Sequence, residues 1–263
     1  MTTVQERQQM MDFAVKIAVQ SGRIGRRYFR SSLPVVNKSV SRFDPVTEAD
    51  QDIETYLRRK IRDRYPRHGI VGEEQETVTG NAYTWILDPI DGTRGFISGS
   101  PMWGTLLGLT HNDRPMLGLM HQPLVRETFF ANRSGAWWKR GSLVRSMTTR
   151  DTEKLENAIL YCTHPAMFGI GRDSRVYREL ESRCQYSRYG ADCYGYCLLA
   201  AGFIDLVVEA DLQPYDIIPL VPVIESAGGV ITDWEGKPAG KAGKVVAAAS
   251  RKLHKAAMAI LNQ

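Results

Sequence analysis

No run of this sequence is apolar enough to span a bilayer, because the roughly 20 uncharged apolar residues such a helix needs never occur together. The N-terminus carries Glu6, Arg7 and Asp12 where a secretion signal needs an apolar stretch. Cysteine is sparse: Cys162, Cys184, Cys193 and Cys197 form no CxxC pair and no disulfide-like framework. A reducing compartment, and so a cytoplasmic location, is the expectation. His68, His111, His121, His164 and His254 show no metal-ligand spacing, which argues against zinc. No G-x-S-x-G elbow is present and Cys193 has no evident activating partner, so nothing points to a serine or cysteine nucleophile.

Neither sign of charge dominates, with 34 basic residues against 29 acidic ones and a formal net charge of +5. Two arginine-rich stretches recur at helical spacing. Arg23, Arg26, Arg27 and Arg30 form one; Arg58, Arg59, Lys60, Arg62 and Arg64 form the other. Both read as solvated helix faces, since no aromatic stacking platform is interleaved with them, and nucleic acid is not the expected partner. A mildly basic surface still favours an anionic small molecule through long-range attraction. With 43% apolar and 24% charged residues the composition is that of a globular protein. A length of 263 residues allows one large fold or two fused halves.

The helical period marks residues 4–30, with Met11, Ala14, Val15 and Ala18 on one stripe. A polar, Pro-containing stretch follows over 31–45. A second helix starts at Thr47, buries Ile53, Tyr56, Leu57 and Ile61, and ends before Pro66. Short strands at 69–71 and 83–87 each run into acidic residues. From 105 to about 138, apolar stretches alternate with turn signals, the pattern of an antiparallel meander. Past 150 the pattern changes. Strands at 158–162, 204–208, 229–232 and 245–248 alternate with helices at 176–183, 194–201 and 217–226, and Ser250 caps a last helix. Such alternation implies a mixed or parallel sheet. The expected organisation is an N-terminal α+β half over 1–150 and a C-terminal α/β half over 151–263, fused as one compact unit without repeat or linker.

The informative segment is Trp85-Ile86-Leu87-Asp88-Pro89-Ile90-Asp91-Gly92-Thr93. An apolar strand ends in Asp88, and Pro and Gly then force a sharp turn carrying Asp91. Such a turn can aim Asp88, Asp91 and the Ile90 carbonyl at one point, a set of oxygen donors that suits a hard cation such as Mg²⁺. An Asx-turn capping the next helix explains the same residues equally well. Upstream, Glu73 and Glu74 place adjacent carboxylates at another strand end, where repulsion demands solvent, a partner or a metal. Glu74 reads as an exposed or supporting residue. Asp216 sits at the start of an apolar helix and reads as an N-cap, a role compatible with metal binding. Thr47-Glu48-Ala49-Asp50 is a capping box with an acidic third position.

Taken together, VGEEQ (71–75), WILDPIDGT (85–93) and PYDIIPLVPVIESAGG (214–229) resemble the inositol monophosphatase superfamily, and the match runs from DPVTEAD (44–50) to the C-terminal helix. The resemblance implies a mixed α/β (α+β) fold, a layered α/β/α/β/α sandwich, and a homodimer. It also implies two or three Mg²⁺ ions held by Glu73, Asp88, the Ile90 carbonyl, Asp91 and Asp216, with direct hydrolysis of a phosphate monoester by water. Asp50 hydrogen-bonded to Thr93 would position that water, making Thr93, Asp50 and Glu73 the catalytic set. The substrate phosphate would rest at Asp91, Gly92, Thr93 and Arg94, beside Asp216.

Arg188-Tyr189-Gly190-Ala191-Asp192-Cys193-Tyr194 departs from the inositol-specific pattern, and with 87–108 it resembles the histidinol-phosphate phosphatase branch. Asp192 and Glu209 would place two carboxylates by the leaving group, which suits a cationic alcohol better than a neutral polyol. Arg188 and Gly190 would belong to the same substrate end, Arg188 meeting the phosphate or orienting Asp192. The expected activity is therefore hydrolysis of histidinol phosphate. Rival readings are a phosphatase for inositol phosphates, sugar phosphates or 3′-phosphoadenosine nucleotides, and a non-catalytic phosphate- or RNA-binding protein.

Overall fold

The computed structural model describes residues 3–32, 34–37, 45–241 and 243–263. Most of the polar stretch at 31–45, and Asp44 of the DPVTEAD motif, lie outside the described residues. Helix α1 (Val4–Tyr28) begins with a capping box in which Thr3 and Glu6 each take the other's backbone N–H. Strands β1 (Val35–Asn37) and β2 (Pro45–Thr47) pair antiparallel ahead of α2 (Glu48–Arg64). Then come β3 (Gly69–Gly72), β4 (Tyr83–Asp91), the short α3 (Thr93–Ile97) and the meander β5 (Gly104–His111), β6 (Arg114–Gln122), β7 (Glu127–Asn132), β8 (Gly135–Arg140) and β9 (Leu143–Ser146). These form one seven-stranded sheet in chain order, antiparallel except where β3 runs parallel to β4.

The second sheet has the order β11-β10-β12-β14-β13. Its strands are β10 (Ile159–Cys162), β11 (Tyr186–Tyr189), β12 (Leu206–Leu212), β13 (Val230–Asp233) and β14 (Gly243–Ala248), interleaved with α4 (Arg172–Arg183), α5 (Cys193–Ala200), α6 (Pro214–Ile217), α7 (Leu220–Ser226) and the final α8 (Arg251–Leu261). Alternation along the strands sorts side chains into layers. Leu107 and Leu109 face α1 and α2, while Leu106 faces α5 and α7. Val207 joins that same central layer, whereas Leu206 and Val208 pack with α4 and α8. The result is the five-layer α/β/α/β/α arrangement. Among the described residues no helix is long and apolar enough to cross a membrane.

Several elements differ from expectation for identifiable reasons. The helix expected over 217–226 is two, because Pro219 has no N–H to continue the ladder and becomes the N-cap of α7. Strand β4 continues through Pro89 to Asp91 because the register slips between Asp88 and Asp91, so no partner needs the missing donor. Strand β11 is an edge strand with mostly exposed residues, and without burial on one face it leaves no alternation to read. Arg58 is not on a solvated face: it is 2% exposed and ion-paired to Glu54. The 72–76 loop covers that side of α2 and supplies carbonyl acceptors for the guanidinium.

Candidate active site

The β4 bulge redirects the chain after Asp88, and it is held there when Thr105 Oγ1 donates to the Pro89 carbonyl at 2.8 Å. Gly92 then adopts φ +85°, and a Cβ at that position would come within 2.8 Å of the Met102 carbonyl. Only glycine suits this turn. Strand β3 runs parallel to β4 with Gly72 beside Leu87, so Glu73 and Asp88 emerge one step later at the same sheet end. Asp216 arrives from the other sheet. It is the third residue of α6 and accepts the N–H of Gln213 at 2.7 Å; Gln213, not Asp216, is the N-cap. Ligand oxygens of Asp88, Asp91 and Asp216 all lie within 4.8 Å of one another.

The carboxylates in this cluster oppose each other's ionisation. Burial pushes Asp88 well above the usual carboxylate range, and the charges of Glu73, Asp91, Asp216 and Asp50 push it further. Asp91 is raised by burial and then by Asp192 and Asp216, with the hydrogen bond from Cys193 working against them. Asp88 Oδ1 and Asp50 Oδ1 are buried with no hydrogen-bond partner among the described residues. Orphaned oxygens among mutually repelling carboxylates fit a divalent cation, and the all-oxygen donor set fits a hard one. Glu73 lies outside the 4.8 Å group, yet it lines the same cavity and its charge reaches Asp88 and Asp50.

Asp50 is held by its own capping box: Oδ2 accepts Thr47 N at 2.8 Å and Thr47 Oγ1 at 2.6 Å. Burial pushes its pKa up to about 6. The hydrogen bond expected between Asp50 and Thr93 is not made, because the Thr93 hydroxyl donates to the Ile90 carbonyl at 2.9 Å.

A cavity of about 510 Å³ opens over the cluster, bordered by Glu73, Asp91 and Asp216 and by Gly92, Thr93 and Arg94. Asp192 and Glu209 line it as well. Asp192 occupies φ +46°, ψ −138°, a region that L-residues avoid, and its side chain caps nothing. Burial raises it to about 6 while the Arg94 charge pulls the other way. Glu209 accepts Thr163 N at 2.8 Å, Thr163 Oγ1 at 2.6 Å and Tyr196 OH at 2.9 Å. Burial, then the Asp192 charge among other causes, pushes it to about 7. Thr163 and Tyr196 give no signal in the sequence, since Thr163 follows β10 and meets Glu209 across 46 residues, and Tyr196 reaches it from α5. Arg188 and Gly190 are exposed and border no part of this cavity. Glu74 contributes its backbone N–H to Glu54 at 2.9 Å.

The sequence model of the inositol monophosphatase family matches residues 6–263. The chain belongs to the inositol monophosphatase family. It is 42% identical over 224 residues to a chloroplastic bifunctional phosphatase of Arabidopsis thaliana, a match spanning 84% of this chain but only 63% of that one. It is 31% identical over 229 residues to a histidinol-phosphatase of Chlorobaculum parvum, covering 86% of each. An inositol monophosphatase from Zymomonas mobilis shares the fold with a TM-score of 0.86 and 32% identity over the full length of both chains. The carboxylate cluster is the kind of site that a metal-dependent phosphatase family requires.

Proposed function

We propose that this inositol monophosphatase family member is a Mg²⁺-assisted phosphomonoesterase that hydrolyses histidinol phosphate. Asp88, Asp91 and Asp216, with Glu73 and the Ile90 carbonyl, would hold the cations. When bound, such ions polarise the phosphoryl group and make water more acidic. Gly92, Thr93 and Arg94 border the cavity where the phosphate would lie. Asp50 and Thr93 position the attacking water. For a proton to reach Asp50 through Thr93, the hydroxyl would have to turn away from the Ile90 carbonyl, whose second lone pair is open to a cation either way. The reading also takes the protein as a cytoplasmic homodimer.

Asp192 carries the substrate assignment. A carboxylate held in a costly backbone conformation, beside Gly92 and in one cavity with Glu209, is a device for binding positive charge. Histidinol offers an ammonium and an imidazole, and charge-assisted hydrogen bonds are roughly twice as strong as neutral ones. The likeness to a histidinol-phosphatase supports the same choice. The relatives named inositol monophosphatase support a neutral polyol instead. Phosphate release with Mg²⁺ from L-histidinol phosphate, inositol 1-phosphate and 3′-phosphoadenosine 5′-phosphate, with Asp88→Asn as blank, separates the two. Preference for histidinol phosphate that disappears in Asp192→Asn supports the proposal; preference for the inositol ester overturns the substrate.

A further inference from the structure

Helix α2 presents Asp50, Glu54 and Arg58 at four-residue intervals, one above the next on a single face, and all three are buried. A buried charged stripe on a helix is costly unless each group is paired. Here Glu54 and Arg58 pair with each other, Oε1 to Nε at 2.7 Å, with side chains 0% and 2% exposed. Their remaining capacity goes to the chain around Glu73. Glu54 Oε2 accepts the N–H of Glu74 at 2.9 Å, and Oε1 accepts that of Gln75 at 3.1 Å. Arg58 donates to the carbonyls of Gln75 and Glu76, each at 2.9 Å. On the other side of Glu73, a Cβ at Gly72 would come within 2.2 Å of Glu54 Oε1 and 2.8 Å of Arg58 Nη2. The pair therefore hydrogen-bonds the backbone immediately after Glu73 and lies close against Gly72 immediately before it.

We propose that Glu54 and Arg58 are positioning residues that fix Glu73 at the carboxylate cluster and thereby set its affinity for a divalent cation. The inference rests on the reading of Glu73 as a metal ligand. The same helix carries Asp50, so α2 fixes the spacing between Asp50 and Glu73. A rigid spacing matters because the Glu73 charge acts on both Asp88 and Asp50, so the distances among the three set how strongly they oppose one another and how they meet a cation. An ion pair suits the task better than an apolar contact. Its oxygens and N–H groups fix three successive residues, Glu74 to Glu76, in a loop that has no strand partner among the described residues.

The test is Mg²⁺ and Mn²⁺ binding by calorimetry on the full chain, without substrate, alongside thermal melting. Glu54→Leu with Arg58→Met removes both charges together, leaving no unpaired ion in the core. Metal affinity should fall by roughly 10–100-fold, the usual consequence of losing a group that orients a ligand, while the melting temperature stays near that of the parent. Gly72→Ala should weaken binding in the same direction by displacing the pair without altering charge. Ile61→Ala, a core lesion at the far end of α2, should lower the melting temperature and leave metal affinity unchanged. Unchanged affinity in folded Glu54→Leu/Arg58→Met and Gly72→Ala proteins overturns the inference, as does equal weakening in Ile61→Ala. Glu73→Gln separates the two levels. If it also leaves affinity unchanged, the reading of Glu73 as a ligand fails with the inference; if it alone weakens binding, only the positioning role fails.

Discussion

The Asp91 carboxylate accepts the backbone N–H of Cys193 at 2.6 Å, across 102 residues of sequence. Cys193 is the first residue of α5 and Asp192 precedes it, so this bond ties the turn that carries the cluster to the residue proposed to read the substrate. The cluster and the Asp192 side of the cavity are thereby held as one piece.

Asp91→Asn keeps an acceptor for Cys193 but removes one of three clustered charges. Phosphate release should fall by more than about 100-fold, the upper end of what losing a mere orienting partner of a metal ligand costs. The melting temperature of the metal-free protein should not fall, because a repelling buried charge has gone. A large loss of metal-free stability would mean that Asp91 is structural instead.

Asp192→Gly relieves a conformation that costs on the order of 1–3 kcal/mol for an L-residue. A protein of this size gains about 2–4 °C in melting temperature per kcal/mol. The variant should therefore melt a few degrees higher while its KM for histidinol phosphate rises about tenfold or more, the loss expected when a charged hydrogen bond of roughly 1.5–3 kcal/mol disappears. KM for inositol 1-phosphate should change less. Equal effects on both esters would remove the charge argument.

Asp50 and Asp192, raised to about 6, and Glu209, raised to about 7, bind protons more tightly folded than unfolded. Their contribution to stability is complete below the ordinary carboxylate range and is lost as pH rises through these values. The metal-free protein should melt at a lower temperature at pH 8 than at pH 5. Mg²⁺ should raise the melting temperature more at pH 8, since the cation binds the ionised groups. A melting temperature that climbs over this interval without metal, followed by fluorescence, would contradict the assignment.

Gly118 has no room for a side chain: a Cβ there would stand 1.8 Å from the Pro219 carbonyl oxygen. Gly118 pairs with Gly108 across β5 and β6, and Pro219 rests on both. Gly118→Ala must push the α6–α7 junction away from the sheet, and Asp216 with it. Overpacking of this kind costs about 1–3 kcal/mol. Weaker Mg²⁺ binding should accompany the lower melting temperature; a purely thermal effect would show that Asp216 is positioned independently of this contact.

Much of this site is legible in the sequence because its parts are local. Asp88, the Pro89 bulge, Asp91 and the Gly92 turn lie within five residues, and their types alone force the bend. The Thr47–Asp50 box and the Ser250 cap are equally short-range, and both form. Arg58 shows no sign of burial in the sequence because burial of a cation depends on which loop covers it. Asp216 stands at the third position of its helix and not at the cap because Gln213, a less common N-cap, takes that place. Arg188 stands outside the cavity because β11 ends the sheet and turns it to solvent.

Side-chain period alone sets out a meander half followed by an alternating half, and residue type alone sets the acidic turn at the end of β4. These depend on side-chain period and on what Pro and Gly permit within a few bonds. Which strand ends meet is settled by long-range packing. The parallel register of β3 and β4 brings Glu73 alongside Asp88, two glycines admit Pro219 so that Asp216 can approach, and the residue after β10, Thr163, becomes the partner of Glu209 on β12. Those choices follow from packing over tens of residues, where each contact is fixed by the shape of the whole core and no local pattern records it.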